Sequence, residues 1–144
     1  MARRRRLPRS RSKEGPTPAS PRDTVVDLDD VVLEKPSNEL EADLFLTRMG
    51  NRWHTVWTGL HLVRLRDERA VAGVESSRVF FSELDAETRR RYIETGEPMD
   101  KAGGYGIQGY GGLFVPRIEG DYFNVMGLPL ALLRRLCHEL EEFA

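Results

Sequence analysis

The order of apolar and polar positions predicts an α/β chain that contains two β-hairpins. The segment "TVVDLDDVVLEKP" predicts a strand, a tight turn at Asp29-Asp30 and a second short strand. Residues 53–65, "WHTVWTGLHLVRL", are β-branched and aromatic, which favours a long strand. A turn at 66–68 separates it from a further strand over roughly 71–81, so we expect the two to pair as a hairpin.

Three helices are predicted from caps and from the spacing of apolar residues. The first two are expected over residues 38–49 and 86–95, capped by Ser37 and Asp85 and each ended by a glycine. Pro129 is expected to start a final amphipathic helix. The residues predicted to face inward from it are Leu130, Leu133, Leu136, Cys137 and Leu140.

Between the second and third helices lies a stretch with little apolar bulk, "DKAGGYGIQGYGG", which holds six glycines in residues 100–112. After it, "GLFVPRIEG" predicts a strand with Pro116 near an edge, and residues 121–126 are predicted to be extended. Trp53 and Trp57 fall on one face of their predicted strand, which indicates core or an interface.

Charge divides the chain into two parts. Residues 1–22 hold seven arginines, one lysine and one glutamate, a net charge of +7, whereas the other 122 residues carry a net charge of −8. Four prolines and the lack of apolar residues predict that 1–22 is a disordered tail. Such a tail is a candidate nuclear-localisation or nucleic-acid patch at Arg3–Arg6, a transit peptide, or a solvated extension without a function.

Composition excludes several classes of site. No apolar run is long enough to span a bilayer, so we expect no membrane association. The single cysteine, Cys137, cannot form an internal disulfide, which fits a reducing compartment such as the cytoplasm. His54, His61 and His138 lack zinc-ligand spacing, so any metal is expected to be a hard cation held by carboxylates.

The glycine stretch formally contains G-x-G-x-x-G, from Gly104 to Gly109. A dinucleotide fingerprint needs an apolar strand before it and a helix opening within it. Here "TGEPMD" precedes and "YGGLFV" follows, so the dinucleotide interpretation fails. Two interpretations stay open: a loop whose backbone amides and Lys101 meet phosphate while Gln108 reads a base, or a tight surface loop whose glycines satisfy positive φ angles.

The segment "GEPMDKAGGYGIQGYGGLFVPRIEGDYFNVMGLPL" resembles the C-terminal signature of the Maf family of nucleoside triphosphate pyrophosphatases. "DTVV…LEKP" and "GNRWHTVWTGL" resemble its middle segments, in the same order. The chain also resembles the Maf-like half of acetylserotonin O-methyltransferase-like proteins, in its Glu-Lys-Pro and its doubled glycine. The resemblance implies an α/β fold with a Maf/ITPase-like mixed elongated sheet and flanking helices, and cleavage of dTTP- or UTP-like nucleotides to monophosphate and pyrophosphate.

The resemblance also implies roles for individual residues. Asp23 matches the family's general base and metal ligand, with Asp100 as a second carboxylate for the Mg²⁺ or Mn²⁺ cofactor. Thr24 and Gln108 match positions tied to the choice of base. The lysines expected near the triphosphate are Lys35 and Lys101. A homodimer is implied as well, whereas nucleic acid is not an expected partner.

The resemblance breaks before Asp23. Family members have a strand, a Ser-x-Ser-Pro-Arg-Arg loop and a helix there, and only "ASPR" at 19–22 is similar to that loop. We therefore expect an incomplete, N-terminally truncated Maf-like domain over 23–144. Two main hypotheses follow: a working nucleotide pyrophosphatase, or a catalytically inactive remnant or isoform that binds nucleotide or another protein. Nucleic-acid binding by the arginine tail is a third.

Overall fold

The computed structural model describes residues 22–142. The predicted disordered tail therefore lies outside the described residues, apart from Arg22. Five strands form one sheet in the order β2-β1-β3-β4-β5, and every pairing is antiparallel. The strands are β1 Arg22–Leu28, β2 Val31–Leu33, β3 Arg52–Arg64, β4 Arg69–Phe81 and β5 Arg117–Glu119.

Both predicted hairpins are confirmed. Asp29 and Asp30 form the β1–β2 turn with φ angles of 51° and 64°, and short polar side chains tolerate this left-handed region better than most. In the β3–β4 hairpin thirteen residue pairs stand in register, from Arg52 opposite Phe81 to Arg64 opposite Arg69. This hairpin forms the centre of the sheet, and helices pack against it.

Four helices flank the sheet: α1 Glu39–Met49, α2 Ala86–Glu94, α3 Tyr122–Met126 and α4 Leu130–Glu139. The α/β class with a helix-flanked sheet is thus confirmed, whereas the parallel pairs of a mixed sheet do not occur among residues 22–142. Asp85 caps α2 as predicted, accepting a bond from the Thr88 amide at 2.7 Å. The cap of α1 is Asn38, not Ser37, since Asn38 Oδ1 accepts from the Glu41 amide at 2.8 Å.

The prediction that residues 121–126 are extended was wrong. The Asp121 side chain accepts from the amides of Phe123 and Asn124, and Gly127 ends the helix in the left-handed region at φ 105°. A cap residue and a closing glycine together favour one helical turn over the strand preference of the aromatic residues between them. The strand predicted for 112–120 is likewise only Arg117–Glu119, because a 3₁₀ helix occupies Tyr110–Phe114.

The prediction for the inward face of α4 is confirmed at Leu136 and Leu140, with Leu133 and Cys137 partly buried, but it placed Leu130 inward in place of Leu132. Leu132, Leu136 and Leu140 are buried, whereas Leu130 is 43% exposed. Leu132 and Leu136 pack on Leu60 of β3 in a small second core cluster. Gly73 of β4 makes room for them, since a Cβ there would lie 2.7 Å from Leu132 Cδ1.

All the helices lie on one face of the sheet, which the alternate residues His54, Val56, Thr58 and Leu60 of β3 cover with buried side chains. Trp53 and Trp57 share the other face, as predicted, and both are half-buried. The Arg78 guanidinium lies 4.6 Å from the Trp53 ring centroid, a cation–π contact. We call the two surfaces the helical face and the open face.

Candidate functional site

The glycine stretch is held against the β1–β2 hairpin by a close backbone approach. The Gly103 amide donates to the Glu34 carbonyl at 3.1 Å, and Gly103 has φ 74°. A Cβ on Gly103 would lie 2.8 Å from Cγ2 of Val26, a buried residue of β1. Glycine is therefore required at this position for two reasons, the positive φ and the contact with β1.

This approach joins two segments of the backbone, each of which carries a lysine that the resemblance singled out. Lys35 follows Glu34 directly, and Lys101 precedes Gly103 by two residues. Both side chains are exposed, and Lys101 Nζ lies 3.5 Å from Asp100 Oδ1. The backbone bond thus brings the segments that carry Lys35 and Lys101 together at the end of the sheet where β2 finishes.

Asp23 and Thr24 lie at the same end of the sheet, because β1 begins where β2 ends. Val26 stands opposite Leu33 in the antiparallel register, which sets Thr24 beside the chain leading to Lys35. Thr24 Oγ1 is 3.0 Å from Thr58 Oγ1 on the helical face. Since successive strand residues point to opposite faces, exposed Asp23 belongs to the open face.

Gln108 lies in a turn on the helical face. The Gly109 amide donates to the Gly106 carbonyl at 3.3 Å, and the Gln108 side chain is exposed. Next to it is a cleft of about 260 Å³ whose walls include Ile107, Ile118 and Tyr122. Asp23 and Gln108 are therefore on different faces, and only a ligand that passes round the end of β1 could touch both.

Five of the six glycine amides of this stretch already donate hydrogen bonds within the protein. Those of Gly104, Gly109 and Gly112 donate to carbonyls within the loop, Gly103 donates to Glu34, and Gly106 donates to the Tyr92 hydroxyl at 3.1 Å. A backbone anion site needs free N–H groups. These five amides therefore do not form such a site.

A buried polar network anchors α3 to the helical face of the sheet. Asn124 is fully buried, and its Nδ2 donates to the Val56 carbonyl and to Ser77 Oγ, both at 3.0 Å. Thr58 Oγ1 donates to the Asn124 carbonyl at 3.3 Å and also contacts Thr24. Sequence analysis missed Thr58, Ser77 and Asn124; the signal for the first two was a hydroxyl at an inward-facing strand position.

A second buried contact anchors the glycine stretch to β3. His54 Nε2 lies 2.6 Å from the Tyr105 hydroxyl, and both residues are buried. Burial lowers the pKa of His54 to about 4 and raises the pKa of Tyr105. The imidazole is thus neutral at physiological pH, and its role is structural.

We expect this histidine to make the fold sensitive to acid. Because the folded-state pKa lies below the ordinary value of 6.5, the unfolded chain binds the proton more strongly. Stability that is fully present above pH 6.5 should fall as the pH drops towards 4, by about 3 kcal/mol at most. Urea unfolding at a series of pH values measures it. His54→Phe should remove this dependence of the unfolding free energy on pH, whereas His138→Gln, which replaces an exposed histidine, should leave it unchanged. The same dependence on pH in wild type and His54→Phe would contradict the assignment to His54.

The carboxylates near the two lysines suit a hard cation only in part. Within residues 22–142 no three His, Cys, Asp or Glu side chains converge as a metal cage. Asp100 is exposed, and so is Asp23. One or two carboxylates together with substrate phosphates are the usual ligands of Mg²⁺, and Asp23 and Asp100 are carboxylates of that type. No helix in the described part is long and apolar enough to cross a membrane.

Comparison with known proteins identifies the chain's relatives. The family model described as Maf-like protein matches residues 18–140. A dTTP/UTP pyrophosphatase of Dictyoglomus thermophilum is 44% identical over 118 residues, which are 82% of this chain and 61% of that protein. Proteins of the same name from Clostridium perfringens (strain SM101) and Carboxydothermus hydrogenoformans are 51% identical over 108 residues and 49% identical over 121.

The matched segments make up a larger share of this chain than of its relatives. These matches take in 75% and 84% of this chain but 56% and 63% of the Clostridium and Carboxydothermus proteins. The chain thus spans about six-tenths of the length of the curated relatives it matches. The family match nevertheless covers all five strands and all four helices, from β1 to the end of α4. The chain therefore belongs to the Maf family.

Proposed function

We propose that the chain is a nucleoside triphosphate pyrophosphatase that hydrolyses dTTP- or UTP-like nucleotides to monophosphate and pyrophosphate. The observation that carries the proposal is the Gly103–Glu34 backbone bond, which joins the segment of Lys35 to the segment of Lys101 at the end of the sheet where β1 begins. The names of the relatives, dTTP/UTP pyrophosphatases, support the substrate class.

In this proposal the triphosphate lies across the end of β1. The ammonium groups of Lys35 and Lys101 offset the charge of the pyrophosphate leaving group. The Asp23 carboxylate orients a water and accepts its proton as the water's oxygen bonds to the α-phosphorus. The bond from that phosphorus to the bridging oxygen breaks, and the electron pair leaves with pyrophosphate.

A divalent cation, Mg²⁺ or Mn²⁺, would be held by Asp23 and Asp100 and would supply further charge neutralisation at the phosphates. The base would lie in the cleft beside Gln108, whose amide offers both a donor and an acceptor to a pyrimidine edge. Thr24, whose hydroxyl contacts that of Thr58 on the helical face, is the second residue proposed to influence the choice of base. We also propose a homodimer and a cytoplasmic location.

A substrate panel tests this proposal. Purified chain is incubated with Mg²⁺ and dTTP, UTP, CTP, ATP or GTP, and pyrophosphate is measured. We expect release from dTTP and UTP, loss of release when the cation is chelated, and at least about ten-fold lower kcat/KM for the purines. Equal rates for all five nucleotides would contradict the proposed base site.

The alternative is a nucleotide-binding module without turnover. It is favoured by one observation, that Asp23 and Gln108 belong to opposite faces of the sheet. In that case UTP should bind, as followed by calorimetry, while a folded chain releases no pyrophosphate. The panel therefore separates the two hypotheses when it is run beside a binding measurement.

A further inference from the structure

A carboxylate lies beneath the turn that carries Gln108. Glu97 follows α2, and its Oε2 accepts a hydrogen bond from the Tyr110 amide at 3.0 Å. Its Oε1 is buried and has no hydrogen-bond partner within the hydrogen-bond criteria. Tyr92 stands beside it and accepts the Gly106 amide at 3.1 Å. Two acceptors from one helical region thus hold the two ends of the 106–110 turn.

The glycines of the turn leave the space that the Glu97 carboxylate occupies. A Cβ on Gly109 would lie 2.1 Å from Glu97 Oε1, and a Cβ on Gly106 would lie 2.8 Å from the same atom. Neither distance is compatible with a side chain, and the clashing group is held in place by its bond to Tyr110. Glu97 below the turn is therefore enough to explain the need for glycine at 106 and 109.

The electrostatics agree with a carboxylate pressed against the turn. Burial raises the pKa of Tyr92, and the neighbouring Glu97 carboxylate adds to the rise. Hydrogen bonds from backbone amides to a carboxylate are charge-assisted and stronger than those to a neutral acceptor. A turn held at one end by a carboxylate and at the other by the Tyr92 hydroxyl has little freedom to change the direction of the exposed side chain at its tip.

We propose that Glu97 is a positioning residue that fixes the 106–110 turn, and through it the Gln108 amide, so that the site discriminates between pyrimidine bases. The inference rests on the proposed function, because Gln108 is taken as the base reader. Glu97 acts through the turn and touches no substrate. Its loss should change which base is accepted more than how fast the bound nucleotide reacts.

The test uses Glu97→Ala and Glu97→Gln, with Glu94→Ala as the matched control. Glu94 lies three residues earlier, is exposed and pairs only with Arg90 at the surface. For each protein we would measure kcat and KM for UTP and CTP, which differ at the edge that Gln108 would read. Exchange of the Tyr110 amide, followed by NMR, reports on the turn without any nucleotide.

Glu97→Ala should speed exchange of the Tyr110 amide. It should also lower the UTP-to-CTP ratio of kcat/KM by about ten-fold, the effect of losing one positioned hydrogen bond, and most of the change should be a higher KM for UTP. Glu97→Gln keeps an acceptor for Tyr110 and should restore most of that ratio, and Glu94→Ala should match wild type. If Glu97→Ala does not fold, Tyr92→Phe, which frees only the Gly106 amide, should lower the ratio by roughly three-fold.

An unchanged UTP-to-CTP ratio in a folded Glu97→Ala protein would overturn the inference, as would an equal loss of kcat for both nucleotides. If wild type releases pyrophosphate from no nucleotide, the proposed function fails by itself. The exchange measurement then still decides whether Glu97 holds the turn, and the UTP-to-CTP ratio of dissociation constants replaces the kinetic ratio.

Discussion

Replacing Asp23 by asparagine is expected to lower kcat for UTP by about 10²- to 10⁴-fold, the usual contribution of a positioned general base. The amide has the shape of the carboxylate but can neither accept the proton of the attacking water nor bind a cation with a full charge. Asp23 is exposed at the start of β1, so the free energy of unfolding should stay within about 0.5 kcal/mol of wild type. Pyrophosphate release under saturating UTP measures the effect.

Asp27→Asn is the matched control for this substitution. Asp27 lies on the same strand and the same open face, opposite Thr55 and four residues after Asp23. It stands towards the Asp29–Asp30 turn, far from the end where Lys35 lies. Asp27→Asn should keep kcat within a factor of about two; a loss as large as that of Asp23→Asn would show that the open face as a whole matters and not the acid at the strand end.

Gly103→Ala should cost about 2–5 kcal/mol of stability, the sum of a residue strained at positive φ and an overpacked contact with Val26. It should also loosen the Gly103–Glu34 bond that joins the segments of Lys35 and Lys101, so pyrophosphate release should fall in the protein that remains folded. Urea unfolding and steady-state kinetics at a temperature where the variant is folded measure the two effects.

Gly96→Ala separates the two causes. Gly96 has φ 77°, close to that of Gly103, but a Cβ there meets nothing within 4 Å. Its replacement should cost only the backbone strain, about 1 kcal/mol. The double variant Gly103→Ala with Val26→Ala should recover part of the contact cost. If Gly96→Ala and Gly103→Ala lower the free energy of unfolding equally, the close contact of the loop with β1 does not contribute to stability.

Local signals in the sequence were enough to predict the two hairpins and α2. Asp29-Asp30 and Asp85 act within a few residues of themselves, so their chemistry determines the turn and the cap without the rest of the fold. The α3 helix carried the same kinds of signal, Asp121 before it and Gly127 after it. Its aromatic residues favour a strand, but the cap and the closing glycine determine the helix.

The parts that the sequence did not reveal depend on partners distant along the chain. Nothing near Gly103 indicates that Val26 will fill the space beside it, and nothing near Gly109 indicates that Glu97 will lie beneath it. Thr24 and Thr58 are separated by 34 residues yet share a hydrogen bond. A family resemblance could point to Asp23, Lys35 and Gln108, but only the folded chain shows which sheet face each one occupies.

The position of the bond that is cleaved is the most direct test of the proposed function. UTP labelled at the α-phosphorus is incubated with wild-type protein and Mg²⁺, and the labelled products are separated. Water attacking the α-phosphorus beside Asp23, with the two lysines holding the leaving group, predicts labelled UMP together with unlabelled pyrophosphate. Labelled UDP with free phosphate, or recovery of intact UTP from a folded protein, would contradict it.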